Sequence, residues 1–319
     1  MKISVALCTY NGEKYIKEQL DSILNQTTKV DEIVICDDKS TDTTMDILRL
    51  YENKYPDIFR VYTNEETLKS VKNFEKAISL CTGEITFLSD QDDFWYPEKV
   101  SVMINHFLEQ PEMMAFCSNG FLMNENSEII IDHFTKWDVF EKYSAKKPHL
   151  DTFNFLTQKG NFSTGATMAV KTDFAKSTFP IPEVQDFHHD EWITLLATVE
   201  GKMGFINQKL INYRVHSTQQ VGGIAFHKDS KYFKQIFDYF SFNDQNDFKS
   251  IKSRIKAQVE WHNKFLINFK SNSTQYQLLK NKFDIELKKN NTLLNQNFPL
   301  KSFVVQNIDK LLNKRQLKK

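Results

Sequence analysis

Four cysteines, seven prolines and nine glycines in 319 residues exclude several architectures at once. Cys8, Cys36, Cys81 and Cys117 form no C-x-x-C pair, so no cysteine-held zinc site is expected. They read as reduced thiols of a cytosolic protein, with Cys8 and Cys36 as small apolar residues at strand ends. No apolar run approaches the roughly 18 residues of a membrane-spanning helix. The opening "MKISVALCTYNGE" turns polar early, which argues against a signal peptide. No G-x-G-x-x-G follows the first apolar run and there is no Walker lysine loop, so neither a dinucleotide fingerprint nor a P-loop is expected.

The bulk of the composition is ordinary for a soluble globular protein, at 40% hydrophobic and 26% charged residues. The length suits one large domain or one domain with an appendage. Phenylalanine is the exception, with 27 residues. The 41 basic and 41 acidic residues cancel, but 19 of the basic and only 8 of the acidic ones follow residue 224. The chain therefore divides into an acidic part, 1–224, and a basic, Phe-rich part, 225–319, with different expected partners.

Hydrophobic periodicity predicts four strand–helix alternations in the first part. "ISVALC", "EIVIC", "IFRVYT" and "EITFLS" are short, apolar and β-branched, as buried parallel strands are. Helices with apolar residues at helical spacing follow the first three, one of them capped by Ser40 or Thr41. That alternation is the mark of a doubly wound α/β sheet, whose ligands bind beyond the carboxyl ends of the strands. Three polar clusters fall there: Thr9–Glu13, Asp37–Asp42 and Asp90–Asp93. A helix is expected from Pro97 to about Glu109 and a strand at "MMAFCSN". "STGATMAVK" reads as a strand, "DEWITLLATVEG" as a helix from Asp190, and "MGFINQKLINYRVH" as a hairpin around Asn207–Gln208. Beyond Gly223 the pattern is helical, with Phe226, Phe233, Phe237 and Phe240 on one face and Trp261, Phe265 and Phe269 on another.

Asp90, Asp92 and Asp93 in "FLSDQDDFWYPEKV" put three like charges at the end of a buried strand. Adjacent carboxylates repel, and such a cluster persists most easily when a cation or several hydrogen-bond donors sit among them. The alternative is an acidic flank for the helix that follows, favoured by its dipole.

Six segments in series resemble glycosyltransferase family 2, the nucleotide-sugar enzymes with a GT-A fold. They are "ALCTYNGEKYIKEQLDSILNQT", "EIVICDDKSTDTT", "VKNFEKAI", "GEITFLSDQDDFWYPEKV", "GATMAV" and "HHDEWITLLATVEGKMGFINQKLINYRVHSTQQVGG", spanning roughly Met1 to Gly223. The wording "SDQDDFW", "HD" and Y-R-x-H is most similar to bacterial rhamnosyltransferases of surface polysaccharide synthesis and their relatives. The resemblance implies a Rossmann-like, mostly parallel sheet flanked by helices over 1–224, with a nucleotide-binding half at about 1–95 and an acceptor half at 96–224. A helical extension, 225–319, follows.

What the resemblance implies for function is an inverting, metal-dependent transfer of rhamnose, or of a hexose such as glucose or galactose, from a dTDP- or UDP-sugar. The acceptor is a lipid-linked or growing surface glycan. Thr9, Tyr10, Asn11 and Glu13 would lie along the nucleotide, Asp37 would accept from the imide N–H of its base, and Asp38 would accept from nearby. Lys72, Asp90, Gln91 and Arg214 would face the donor. Asp92, with Asp90 and His216, would hold Mn²⁺ or Mg²⁺, which prefer oxygen ligands and usually take one or two carboxylates. Asp93 would steady Asp92, and Asp42 would be a first-turn acid of the next helix. Asp190 would be the general base, although Glu191 stands where relatives often continue directly to Trp. Gly165, His189 and Trp192 would line the acceptor side, and Gln219, Gln220 and the following glycines would form a flap. The basic part suits peripheral contact with the inner face of a membrane, or packing on the catalytic part or on a second copy. No nucleic-acid partner is expected. A non-catalytic sugar-nucleotide binder on the same fold remains the alternative. A receiver-like signalling domain fails because the acidic pair follows the second strand.

Overall fold

In the computed structural model the described residues are 1–145, 150–184, 187–217, 219, 225–228, 245–268 and 273–303. The chain divides into two compact units, Met1–Phe153 with Asn161–Phe233, and Asn154–Gly160 with Lys234–Lys319.

The first unit is built on an eight-stranded sheet in the order β3-β2-β1-β4-β8-β6-β9-β5. Strands β1 (Ile3–Thr9), β2 (Glu32–Asp37), β3 (Phe59–Thr63) and β4 (Ile85–Ser89) run parallel, with Val5 opposite both Ile33 and Phe87. The central residues of β1, β2 and β4 are wholly buried, because helices cover both faces of such a sheet, whereas β3 at its edge exposes Arg60 and Tyr62. Helices α1 (Ile16–Leu24), α2 (Thr44–Lys54) and α3 (Lys69–Leu80) make the crossovers. On α1 the buried stripe is Ile16, Leu20 and Ile23, which is one helical face. The chain order places Thr9, Asp37 and Ser89 on the same edge, where the polar clusters begin.

The second half of the sheet is mixed. A two-residue β5 (Phe94–Trp95) follows the acidic loop, then α4 (Lys99–Glu109), β6 (Ala115–Met123), β7 (His133–Thr135), α5 (Lys136–Ser144) and α6 (Thr152–Lys159). A single 3₁₀ turn, Gly165–Thr167, leads into β8 (Met168–Lys171), which pairs antiparallel with both β4 and β6. After α7 (Thr172–Ser177) and α8 (His189–Val199), β9 (Met203–Arg214) runs parallel to β6 and antiparallel to β5.

Several expectations are corrected. The hairpin around Asn207–Gln208 is one continuous strand, β9, in which shifts of register opposite Ser118–Phe121 absorb the polar interruption. Gly165 lies in the 3₁₀ turn rather than in a strand. Ser40 and Thr41 do not cap α2, which starts after Thr43. Phe226 is not helical: β10 (Ala225–His227) pairs antiparallel with β7, and Phe226 stacks on Phe134 at 5.2 Å. These strand residues group with the first unit, past the boundary at 224 that motif order suggests.

In the second unit, α9 (Phe248–Asn268) and α10 (Thr274–Asn297) pack along each other. Their seam contains a polar core, in which Arg254 Nε donates to Asn290 Oδ1 at 2.9 Å and Asn290 donates to Gln258 at 3.2 Å. No helix among the described residues is long and apolar enough to cross a membrane. Phe233, Phe237, Phe240, Phe269, Gln220 and the flap glycines lie outside the described residues, as does the side chain of Phe265.

Candidate functional site

The first wall of the site is the loop after β1. Asn11 has a positive φ of 48°, a conformation that Asn tolerates better than most residues. Its side-chain oxygen accepts from the Thr41 amide at 2.8 Å, and its own amide donates to Ser40 Oγ at 2.8 Å. The Glu13 carboxylate accepts from Thr43 and the Glu13 amide donates to Asp42 at 3.2 Å, so the first two loops are laced together. Tyr10 leaves its ring 45% exposed, open to a stacking partner.

Gln91, from the acidic loop, reaches across and reads the Tyr10 backbone in both directions. It accepts from the amide at 2.8 Å and donates to the carbonyl at 3.1 Å. A Cβ at position 12 would stand 2.3 Å from Gln91 Oε1, so Gly12 is what lets the two loops approach.

Asp37 and Asp38 lie beneath this rim rather than on it. Asp37 is fully buried and accepts from Thr9 Oγ1 at 2.7 Å and from Ser40. Asp38 accepts from Asn64 and from the amides of Leu68 and Lys69, fixing the start of α3. Direct contact with a base is therefore corrected to support of the loops around it. Lys72 is likewise engaged, with Glu75 and with the Ile181 carbonyl, both at 2.9 Å.

The acidic cluster divides into three environments. Asp92 meets His216, Oδ2 to Nε2, at 2.9 Å, and the His216 ring packs 5.1 Å from that of Tyr15. Asp90 is pushed up to about 7, first by burial and then by the charges of Asp92 and Asp190. Asp93 is driven far above the usual carboxylate range by burial and by its two neighbours. One of its oxygens accepts from the Arg214 amide at 3.0 Å, while Oδ2 is buried without a hydrogen bond.

Arg214 is not available to a diphosphate. Its side chain is fully buried and its donors are spent on the Asp92 carbonyl at 2.7 Å, Asn124 O at 3.2 Å, Ser127 Oγ at 3.0 Å and Glu18 at 2.5 Å. It braces the back of the acidic loop, with its guanidinium 4.3 Å from the Tyr15 ring centroid.

The facing wall is the start of α8. Asp190 accepts from the Gly165 amide at 3.0 Å and from the Glu191 amide at 2.7 Å, which orients its carboxylate in the first turn. His189 stacks on Phe74 at 3.8 Å, and neither ring nitrogen finds a hydrogen bond. Burial lowers it to about 4, so it is neutral. A Cβ on Gly165 would lie 2.8 Å from His189 Nε2, so glycine is needed for this approach. Trp192 is corrected from acceptor wall to core: it is fully buried, and its Nε1 donates to Thr178 O at 2.8 Å. Gln219 donates to the Tyr213 hydroxyl at 2.7 Å.

Sequence reasoning missed Glu18 and Lys99. Lys99 is fully buried, with Nζ 2.6 Å from Ala166 O and 3.8 Å from the centre of the Trp95 ring. Burial lowers it to about 7, against the opposing pull of Asp93 and Asp90. A signal was available, because Lys99 falls at four-residue spacing with Met103 and Phe107 on the buried face of α4. Among the described residues no three His, Cys, Asp or Glu side chains converge as a ready-made metal cage.

Comparison with known proteins places this geometry. An uncharacterized glycosyltransferase of Nostoc sp. is 26% identical over 226 residues, covering 68% of this chain and 65% of the relative. The chain thus spans less than two thirds of that relative's length. The Escherichia coli UDP-Glc:alpha-D-GlcNAc-diphosphoundecaprenol beta-1,3-glucosyltransferase WfaP is 25% identical over 237 residues, covering 73% of this chain and 83% of WfaP. Staphylococcus aureus TarS 1–349, solved with UDP-GlcNAc, superposes with a TM-score of 0.54 at 17% identity, over 92% of this chain and 84% of TarS. The mannosyltransferase PcManGT of Pyrobaculum calidifontis, solved with GDP-Man and Mn²⁺, gives 0.50 at 16% identity, over 98% and 80% of the two chains. These two structures establish the GT-A fold. Residues 4–179, more than half of the chain, match the family described as glycosyl transferase family 2, and with its sheet order and acidic rim the chain belongs to that family.

Proposed function

We propose that the chain is an inverting glycosyltransferase that moves rhamnose or a hexose from a dTDP- or UDP-sugar onto a lipid-linked or growing bacterial surface glycan. The observation that carries this reading is electrostatic. Asp90 is raised first by burial and then by the charges of Asp92 on its own loop and Asp190 in the other half of the first unit, which supports a site shared by acids from both halves. An acid on the donor side and a base on the acceptor side are the parts that an inverting transfer needs.

Tyr10 offers its exposed ring to the nucleobase, and the Gln91 lock sets the height of that ring. Asp92 and His216, with Asp90 on the same loop as Asp92, have a donor set that suits Mn²⁺ or Mg²⁺, which usually take one or two carboxylates and complete their coordination with phosphate and water. When bound, the cation would supply charge neutralisation to the departing diphosphate. Asp190, held by two amides, takes the proton of the acceptor hydroxyl. The oxygen bonds to the anomeric carbon as the carbon–diphosphate bond breaks on the opposite face. His189, neutral and stacked, fixes the first turn of α8 without competing for that proton.

For 225–319 we propose contact with an anionic membrane surface. Leu300 and Phe303, 84% and 71% exposed, flank Lys301, and the chain ends on "KRQLKK".

The catalytic reading is tested by nucleotide release from UDP-glucose, UDP-galactose and dTDP-rhamnose with Mn²⁺, using a bacterial membrane extract as acceptor. Asp190→Asn is expected to lower kcat at least a thousandfold while UDP affinity stays within about twofold, since removal of a base acts on the transition state. Turnover that survives this substitution removes Asp190 as the base. A native chain that binds UDP yet releases nucleotide from no donor is a binder, not a transferase.

A further inference from the structure

Lys99 puts an amine on the buried face of α4. The same buried face holds Val100, Met103, Ile104 and Phe107, and an apolar side chain there would avoid desolvating an amine. Its stem runs beside Trp95, and its one hydrogen bond goes to the carbonyl of Ala166, the middle residue of the Gly165–Thr167 turn. That turn has two ends that matter. Its Gly165 amide donates to Asp190 at 3.0 Å, and its exit strand, β8, lies against β4, which runs into the acidic loop. Its remaining hydrogen bonds are local, from Thr167 back to Thr164 at 2.9 Å, while its buried residues pack against β4, β6 and β9. Lys99 itself begins the helix that follows the acidic loop. The ammonium therefore ties the segment carrying the donor-side acids to the turn that aims the acceptor-side carboxylate.

We propose that Lys99 is a positioning residue, which sets the Gly165–Thr167 turn through the Ala166 carbonyl and so fixes the direction of the Asp190 carboxylate relative to the acidic rim. Lys99 touches neither donor nor acceptor in this role. Its loss acts on the transfer step and not on nucleotide affinity. The inference rests on the reading of Asp190 as the base.

The test uses the full chain with Lys99→Met, which keeps the stem and removes the donor. The expected result is a kcat lowered about 10- to 100-fold, with the UDP–Mn²⁺ dissociation constant within twofold of the native value. Hydrogen exchange of the nucleotide-free protein should accelerate about tenfold or more at the Gly165–Thr167 amides, with no change around Asp37. A merely structural loss would instead raise exchange throughout the first unit. If Lys99→Met does not fold, because Asp93 is left buried without a countercharge, Lys99→Met with Asp93→Asn removes both charges and is compared with Asp93→Asn alone. Unchanged kcat, or unchanged exchange at the turn, overturns the proposal. An inactive Asp190→Asn alongside a normal Lys99 variant sinks only this inference, whereas an active Asp190→Asn sinks the base assignment itself.

Discussion

Arg214 offers the sharpest separation between two roles for one residue. A phosphate ligand would contribute to nucleotide binding and little to the stability of the free protein. A brace would do the reverse. The structure gives it three hydrogen bonds to neutral acceptors and one to Glu18, whose side chain is 37% exposed. Each neutral bond contributes about 1 kcal/mol. The Glu18 pair contributes less than a fully buried one, because Glu18 can turn to water once its partner is gone. Arg214→Lys is therefore expected to cost about 2–4 kcal/mol, since one ammonium cannot serve acceptors spread around a planar fork. For a unit of this size that corresponds to roughly 5–12 °C in the melting temperature of the ligand-free protein. The assay is thermal unfolding without nucleotide, paired with calorimetric titration of UDP and Mn²⁺ at a temperature where the variant is folded. A melting temperature within about 1 °C of native, with UDP binding weakened tenfold, would refute the brace and restore the phosphate role.

The second prediction concerns pH. His189 is lowered from 6.5 to about 4 by burial, so between those values the unfolded chain takes up a proton that the folded chain refuses. Stability then falls as pH drops from about 6.5 towards 4, by an amount on the order of 2–4 kcal/mol from this residue. Urea midpoints at pH 7 and pH 4.5 should differ less for His189→Gln than for the native chain, and equal differences would show that the ring titrates normally. The third concerns the basic part. Co-sedimentation with phosphatidylserine vesicles is expected to fall steeply between roughly 0.05 and 0.3 M salt, the range over which screening shortens the reach of surface charge. Truncation after residue 240 is expected to abolish it, and binding that survives truncation would discard membrane contact by this segment.

The alternation of strand and helix was legible because parallel strands buried on both faces have to be continuous apolar runs, as "ISVALC" and "EIVIC" are. The ends of those runs located the rim, and the acidic cluster announced itself by its own repulsion. What the sequence could not display was the direction of each side chain. Asp37 and Arg214 carry motif positions, yet one lies under the loop and the other behind it, because a charged group at a strand end can point up to a ligand or back into the backbone with the same local sequence. The continuous β9 was unreadable for a related reason. Asn207 and Gln208 resemble a turn, but pairing with β6 through a shifted register overrides that local preference.

Lys99 shows the same limit from the other side. A lysine at helical spacing with Met103 and Phe107 is normally a side chain that snorkels to water, and here the route outward is replaced by the Ala166 carbonyl and the Trp95 ring. The electrostatics of the cluster explain why an ammonium is tolerated there. Asp90 and Asp93 both hold their protons more tightly than ordinary carboxylates, because ionising them all without a ligand would put too much negative charge in too little buried space. Arg214 relieves this from behind through its backbone amide and its bond to the Asp92 carbonyl, and Lys99 relieves it from below. Neither reaches the open face, where the Asp92 carboxylate meets His216. The residual repulsion on that face is what a bound cation would remove, so the same imbalance that is unfavourable in the free protein becomes a contribution to ligand affinity.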